Sequence, residues 1–143
     1  MIKKTLLNHG SRILLMHVYL DSEEDEKELV NHNLIDPTDY DSDADILTDP
    51  LMRLTVTQLW HSFSGFDALL SFDYTTPVPS WVMTQNTGPH VDFRHFGGLA
   101  DRYQGVENKD GTNRQGVILL STSGFITPGA RGSLIVELRK NKK

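Results

Sequence analysis

Residues 51–60 read LMRLTVTQLW, and this stretch decides the class of fold. From Met52 to Thr57 apolar and polar residues alternate strictly, which is the period of a strand with one buried face. Leu59 and Trp60 then break the alternation, which predicts a β-bulge or a change of sheet near Gln58. No segment of about ten or more residues shows the apolar spacing of a helix.

Seven further segments have the pattern of strands, and turns rich in glycine and proline separate them. In Phe66–Tyr74 every second residue is apolar or aromatic. In 132–139 Leu134, Val136 and Leu138 face one way, and Ile135 is an apolar exception on the other face. The remaining segments are Arg12–Leu20, Lys27–Ile35, Ser80–Gln85, His90–Phe96 and Gly116–Thr122. We therefore expect one all-β domain, residues 1–143, folded as an antiparallel β-sandwich or jelly-roll of about eight strands.

Charge is divided unevenly along the chain. Residues 21–49 contain twelve carboxylates and one base, Lys27, so this segment is −11, whereas the rest of the chain is +6. We predict an acidic hairpin or loop insert at 21–49, in which the strands on either side of the tip Asp21–Glu26 pair with each other. Such polarity suits docking on a charged partner or head-to-tail association. A solvated loop that keeps the protein soluble is the alternative.

Composition and spacing remove several classes of chemical site. The chain has no cysteine, which excludes disulfides, thiolate zinc sites and cysteine nucleophiles. Alternate aspartates at 39–45 suggest calcium, but the frame from Asp39 has Ala44 where an EF-hand needs glycine and Pro50 where it needs glutamate. The six histidines lack zinc-motif spacing, and neither a phosphate-binding glycine motif nor a nucleophile elbow occurs. We predict no catalytic residue, no metal site, no cofactor and no enzymatic activity.

Two classes of partner are also disfavoured. No stretch approaches the roughly 20 apolar residues that span a bilayer, and Met1–Gly10 lacks the apolar run of a secretory signal. We therefore expect a soluble protein with no membrane partner. The bases are scattered and the isoelectric point is near 5.6, which predicts no nucleic-acid partner.

The aromatic residues suggest one function of a different class. Most of the twelve lie at alternating strand positions, which is typical of a core. Trp81, beside Pro77 and Pro79, is the best candidate for an exposed ring on which a sugar would stack. A carbohydrate-binding module is therefore an alternative function.

The order of strands and turns along the chain resembles that of a known group of proteins. The segments concerned are the opening strands, 51–60, 66–75, 81–84, the FRHFGG box at 93–98, GVILLSTSG at 116–124 and GSLIVELR at 132–139. Together they resemble a loose group of small virion structural proteins of tailed bacteriophages. The resemblance covers most of the chain except the acidic insert, and it rests on patterns of strands and turns.

The resemblance implies a non-enzymatic capsid decoration, or cement, protein on the exterior of the virion, made in the host cytoplasm. Its implied partners are the major capsid protein and neighbouring copies of itself. A neck or tail component of the same particle is the alternative position. We expect partner contacts at the aromatic-glycine box and the basic end of the chain: Phe93, Arg94, Phe96, Trp81, Arg139, Lys140, Lys142 and Lys143.

Overall fold

The computed structural model describes residues 1–10, 12–22, 27–36, 53–85, 89–99, 117–126 and 128–141. Within these ranges the chain forms nine strands and one 3-10 turn, Arg94–Phe96. The strands are β1 (Ile2–His9), β2 (Ile13–Asp21), β3 (His32–Ile35), β4 (Arg53–Ser64), β5 (Asp67–Phe72), β6 (Val78–Met83), β7 (His90–Asp92), β8 (Ile118–Ser123) and β9 (Arg131–Asn141). The expectation of an all-β chain is confirmed.

The strands form two antiparallel sheets, ordered β1-β2-β9-β4-β7 and β3-β8-β5-β6. Strands β2 to β9 pair in a nested way, β2 with β9, β3 with β8, β4 with β7 and β5 with β6. Successive nested pairs lie in alternate sheets, which is the order of a jelly-roll. The predicted fold class is confirmed, and β1 adds a fifth strand to the first sheet.

The predicted hairpin across the acidic tip is wrong. β2 pairs with β1 and β9, whereas β3 pairs with β8 in the other sheet. In a nested arrangement the chain crosses from one sheet to the other between these two strands, so they cannot be hydrogen-bonded neighbours. Most of the acidic insert, residues 23–26 and 37–49, lies outside the described residues.

The facing sides of the sheets build one core. Every second residue of β2 and β9 is fully buried: Leu14, Met16, Val18, Leu20, Leu134, Val136 and Leu138. The predicted inner face of β5 is confirmed, because Phe66, Ala68, Leu70, Phe72 and Tyr74 are all buried. Each large apolar side chain so buried contributes about 1.5–3 kcal/mol of transfer free energy.

The bulge predicted near Gln58 is confirmed in the ladder between β4 and β9. The register shifts between Val56 and Gln58, which leaves Thr57 as the extra residue. The shift keeps both Val56 and Leu59 fully buried, although they are three positions apart and would face opposite ways in a regular strand. The loss of alternation in the sequence therefore has a structural cause.

Two strand boundaries differ from the sequence prediction. β6 begins at Val78 and includes Pro79, where the sequence suggests a turn. Because β6 is the edge strand of its sheet, it tolerates a residue without an N–H donor. β7 ends at Asp92 and gives way to the 3-10 turn, so the predicted strand His90–Phe96 is only half correct.

β1 has no counterpart among the predicted strands. It forms one edge of the five-stranded sheet, and all its side chains except that of Ile2 are exposed. With neither face buried, its sequence carries no alternation from which a strand could be predicted. The Lys4 Nζ donates to the carbonyls of Asn33 (3.1 Å) and Leu34 (2.8 Å), which fastens β1 to β3, the edge strand of the opposite sheet.

The register of β9 can be tested by truncating two adjacent residues. Leu134→Ala removes a fully buried side chain and is expected to lower the free energy of unfolding by about 2–5 kcal/mol. Ile135→Ala is the matched control, and its cost is expected to be clearly smaller because Ile135 lies on the outer face. Urea unfolding monitored by tryptophan fluorescence measures both, and an equal or larger cost at Ile135 would contradict the register.

Candidate functional site

The most distinctive surface feature is the turn Phe93–Leu99, called here the Phe96 turn, which follows β7 and is attached to β4 at both ends. The Phe93 N–H donates to the carbonyl of Thr57 (2.8 Å), and Leu99 and Val56 exchange two backbone hydrogen bonds (2.8 and 3.0 Å). The attachment points are the bulge residue Thr57 and Val56, which precedes it. The bulge thus fixes where the turn stands on the sheet.

Internal hydrogen bonds close the Phe96 turn. The Phe93 carbonyl accepts from the N–H of Phe96 (3.0 Å) and of Gly98 (2.9 Å). Gly97 and Gly98 have φ angles of 79° and 93°, in the region that side chains disfavour. At Gly98 an added Cβ would also overlap Thr55 Cγ2, so only glycine fits this position.

Phe93 anchors the turn to the core. Its ring is 4% exposed and meets the ring of Trp81 edge-on, with centroids 4.9 Å apart at 87°. The sequence-based expectation that Phe93 contacts a partner is therefore corrected, because its ring is turned inward. Trp81 is half-buried and packs against the core, so it does not stand out as the exposed platform that a sugar site requires.

An ion pair holds the start of the turn. The Arg94 Nε donates to both carboxylate oxygens of Asp92 (3.0 and 3.1 Å), and its Nη2 donates to Oδ2 (2.7 Å). The backbone N–H of Arg94 donates to the same carboxylate (2.9 Å). These hydrogen bonds, the side-chain bonds most strongly, hold the pKa of Asp92 well below its usual range, and the pairing raises the pKa of Arg94.

Phe96 is the most exposed large apolar residue in the described part of the chain, at 78%. It stands on the closed turn beside exposed Arg94, and Arg139 of β9 donates from Nη2 to the Gly97 carbonyl (3.3 Å). Three of the residues expected at a partner contact therefore come together here. Exposed aromatic and arginine side chains on a rigid backbone are the groups that carry most binding energy at protein interfaces.

The other basic residues expected at the contact are placed differently. Lys140 follows Arg139 in β9, so its side chain leaves the opposite face of the strand, and it is half-buried. Lys142 and Lys143 lie outside the described residues. The structure thus joins Arg139, but not Lys140, to the Phe96 turn.

A chain of polar contacts on the outer face of the five-stranded sheet was not predicted. Glu137 Oε1 accepts from the Thr57 hydroxyl (2.8 Å) and the Gln58 amide (3.0 Å). The Gln58 carbonyl oxygen is then left to accept from His90 Nε2 (2.9 Å), which assigns the proton to that nitrogen. His90 also stacks on Trp60, with centroids 4.9 Å apart at 10°, and so covers one face of that ring.

The described ranges hold no group of three or more carboxylate or imidazole side chains that could bind a metal ion. Within the same ranges no helix has the length and apolar character needed to cross a membrane. Comparisons with protein-family models, with curated proteins and with solved structures give no match for this chain.

The fit of Gly98 against Thr55 can be tested by a double-mutant cycle. Gly98→Ala is expected to destabilise the protein by about 1 kcal/mol more than Gly97→Ala, because only the first adds a steric clash to the strain of positive φ. Thr55→Ser removes the methyl group concerned, so Gly98→Ala should cost less in that background. Chemical unfolding gives the four values, and equal costs in both backgrounds would show that the methyl does not limit the site.

The Asp92–Arg94 pair has a defined pH dependence. Because the folded-state pKa is lowered, the stabilisation is present above the ordinary carboxyl value of 3.8 and is lost only as pH falls through the lower folded value. Carboxyl carbon NMR is expected to show Asp92 titrating below 3.8. In Arg94→Gln the midpoint should move back towards the ordinary value, though only partly, because the backbone N–H still donates. An unchanged midpoint would rule out the side-chain pairing.

Proposed function

We propose that this chain is a non-enzymatic structural protein of a tailed-bacteriophage particle, and more specifically a capsid decoration protein that binds the major capsid protein on the virion exterior. The observation that carries the proposal is the Phe96 turn. It presents one bare aromatic ring, flanked by Arg94 and Arg139, on a backbone held at both ends.

The rigidity of the turn supports a binding role. Ordering a flexible loop on association costs free energy that a preorganised loop has already lost during folding. The Phe96 turn is fixed before binding by its clamps to β4, its internal hydrogen bonds and the buried ring of Phe93. Insertion of Phe96 into a partner pocket would therefore convert most of its apolar contact into affinity.

The fold supports the proposal only in combination with the site. Jelly-rolls occur in viral capsid proteins, in lectins and in cupins, and a fold alone does not define a function. A lectin-like function needs an exposed aromatic face. Here Trp81 packs against Phe93, and His90 covers one face of Trp60, whereas Phe96 is bare. The surface chemistry accordingly favours a protein partner over a sugar.

Binding to particles can be measured with shells assembled without this protein. The purified chain is expected to co-sediment at a saturating, fixed ratio to the shell subunit and to raise the temperature at which shells break. Phe96→Ala should weaken binding by about 2 kcal/mol or more, on the order of thirtyfold. Ile126→Ala is the matched control, because Ile126 is also exposed (55%) but lies in the turn after β8, away from the Phe96 turn.

Three results would count against the proposal in different ways. Absence of binding at any salt concentration would reject decoration. Binding confined to an axial ring of the particle would assign the protein to the neck or tail. Equal loss of affinity in Phe96→Ala and Ile126→Ala would reject the Phe96 turn as the anchor while leaving decoration intact.

A further inference from the structure

A cavity opens at the side of the sandwich where β1 and β3 are the edge strands. Residues of both sheets line it: Met1 and Ile2 at the start of β1, the segment 27–32 that leads into β3, and Phe125 after β8. Its volume is about 440 Å³, which is within the range of sites that hold small organic ligands. Ile2 and Leu29 pack against the core and Phe125 is buried, so the interior is mainly apolar.

Hydrogen bonds hold the lining of the cavity in place before any ligand arrives. The Leu29 N–H donates to the Thr122 hydroxyl (2.9 Å), and the Leu29 carbonyl accepts from the Thr122 N–H (2.9 Å). In the first sheet the Asp21 N–H donates to the Met1 carbonyl (3.0 Å). A ligand that enters therefore needs to order little of the protein, which favours affinity.

Glu28 supplies a fixed carboxylate to the cavity. Its Oε2 accepts from the Thr122 hydroxyl (2.9 Å) and its Oε1 from the Ile126 N–H (3.2 Å), and the residue is half-buried. Within the described ranges no base forms an ion pair with Glu28. An ionised carboxylate has about four acceptor positions, so Glu28 can accept further hydrogen bonds. A half-buried charge without a counterion is stabilised by one that a ligand brings.

The charge around the cavity favours a cation over an anion. The segment 27–32 belongs to the acidic stretch 21–49, which carries −11 in the sequence. Lys27 and His32 complete the polar lining, but Lys27 is exposed, and a long lysine side chain can keep its ammonium in water. Because Glu28 is held in the lining by two hydrogen bonds, the fixed charge that a ligand meets is negative.

We infer that this cavity binds an organic cation, that is, an ammonium or guanidinium group carried on an apolar stem. The stem packs against Ile2, Leu29 and Phe125, and the cation donates to the acceptor positions that remain on Glu28. A free amine and a lysine or arginine side chain of another protein share this chemistry. The site lies at the β1 edge and the Phe96 turn continues from β7 at the other edge, so the inference stands or fails independently of the proposed function.

Hexylammonium is the probe, and hexanol and hexanoate are controls with the same stem and a neutral or anionic head. The isotope-labelled protein is titrated at about pH 8, where an ordinary imidazole is uncharged and an alkylammonium is still charged. The amide signals of Ile2, Glu28 and Leu29 are expected to shift with hexylammonium, at an affinity on the order of tenfold above that of hexanol. Shortening the stem to butylammonium should weaken binding, again by on the order of tenfold.

Two neighbouring variants test the role of the carboxylate. Glu28→Gln removes the charge at nearly constant size and should reduce the affinity for hexylammonium to that for hexanol. Lys27→Gln is the matched control, and it should bind hexylammonium at least as tightly as the unaltered protein because it removes a like charge. Unchanged amide exchange of Leu29 and Thr122 verifies that the lining of the cavity stays in place in both variants.

A second pair of probes distinguishes the two sources of the cation. Lysine and arginine capped at both ends are expected to match or exceed the affinity of hexylammonium if the natural occupant is a side chain of another protein. Binding of hexylammonium alone would indicate a free amine.

Three results would overturn the inference. Equal affinity for hexylammonium and hexanoate would exclude Glu28 as the counterion. Tighter binding of hexanoate that is lost in Lys27→Gln would make the cavity an anion site. Absence of any shift with all the probes at millimolar concentration would reject the cavity as a ligand site.

Discussion

The pairing of β4 with β9, and the bulge at Thr57 within it, is the constraint on which the outer features of this jelly-roll depend. β9 lies between β2 and β4, so the ladder between β4 and β9 joins strands β1, β2 and β9 to strands β4 and β7. Thr57 is almost fully buried, its carbonyl accepts from Phe93, and its hydroxyl donates to Glu137. The residue that shifts the register therefore also attaches the Phe96 turn and the polar chain that leads to His90.

The sequence predicts the faces of the strands better than their partners. Alternation identifies the buried sides of β5 and β9, and its failure locates the bulge, because both follow from which residues leave water. Alternation contains nothing about which strand lies beside which. The pairing of β3 with β8 brings together residues far apart in the chain, so neighbours in sequence were paired wrongly. β1 buries neither face, so its sequence has no alternation from which a strand could be predicted.

For a similar reason the sequence predicts only part of the candidate site at the Phe96 turn. The box FRHFGG signals an aromatic turn through its two glycines, and both do adopt positive φ. The sequence does not distinguish Phe93, which is buried, from Phe96, which is exposed, because that difference depends on where β7 ends. The link from Arg139 to Gly97 likewise depends on strand order, because β9 reaches the turn only across β4.

The Phe96 turn lies at the edge of the five-stranded sheet opposite to β1. β1 is the first strand of the five, and β7, from which the Phe96 turn continues, is the last. With neighbouring strands about 4.8 Å apart, the edges are separated by roughly 19 Å of hydrogen-bonded sheet. A partner at one edge does not obstruct the other, and the ladder between them resists shear. In the proposed decoration role, load applied at the Phe96 turn would pass into the sheet through backbone hydrogen bonds to β4 and not through a flexible linker.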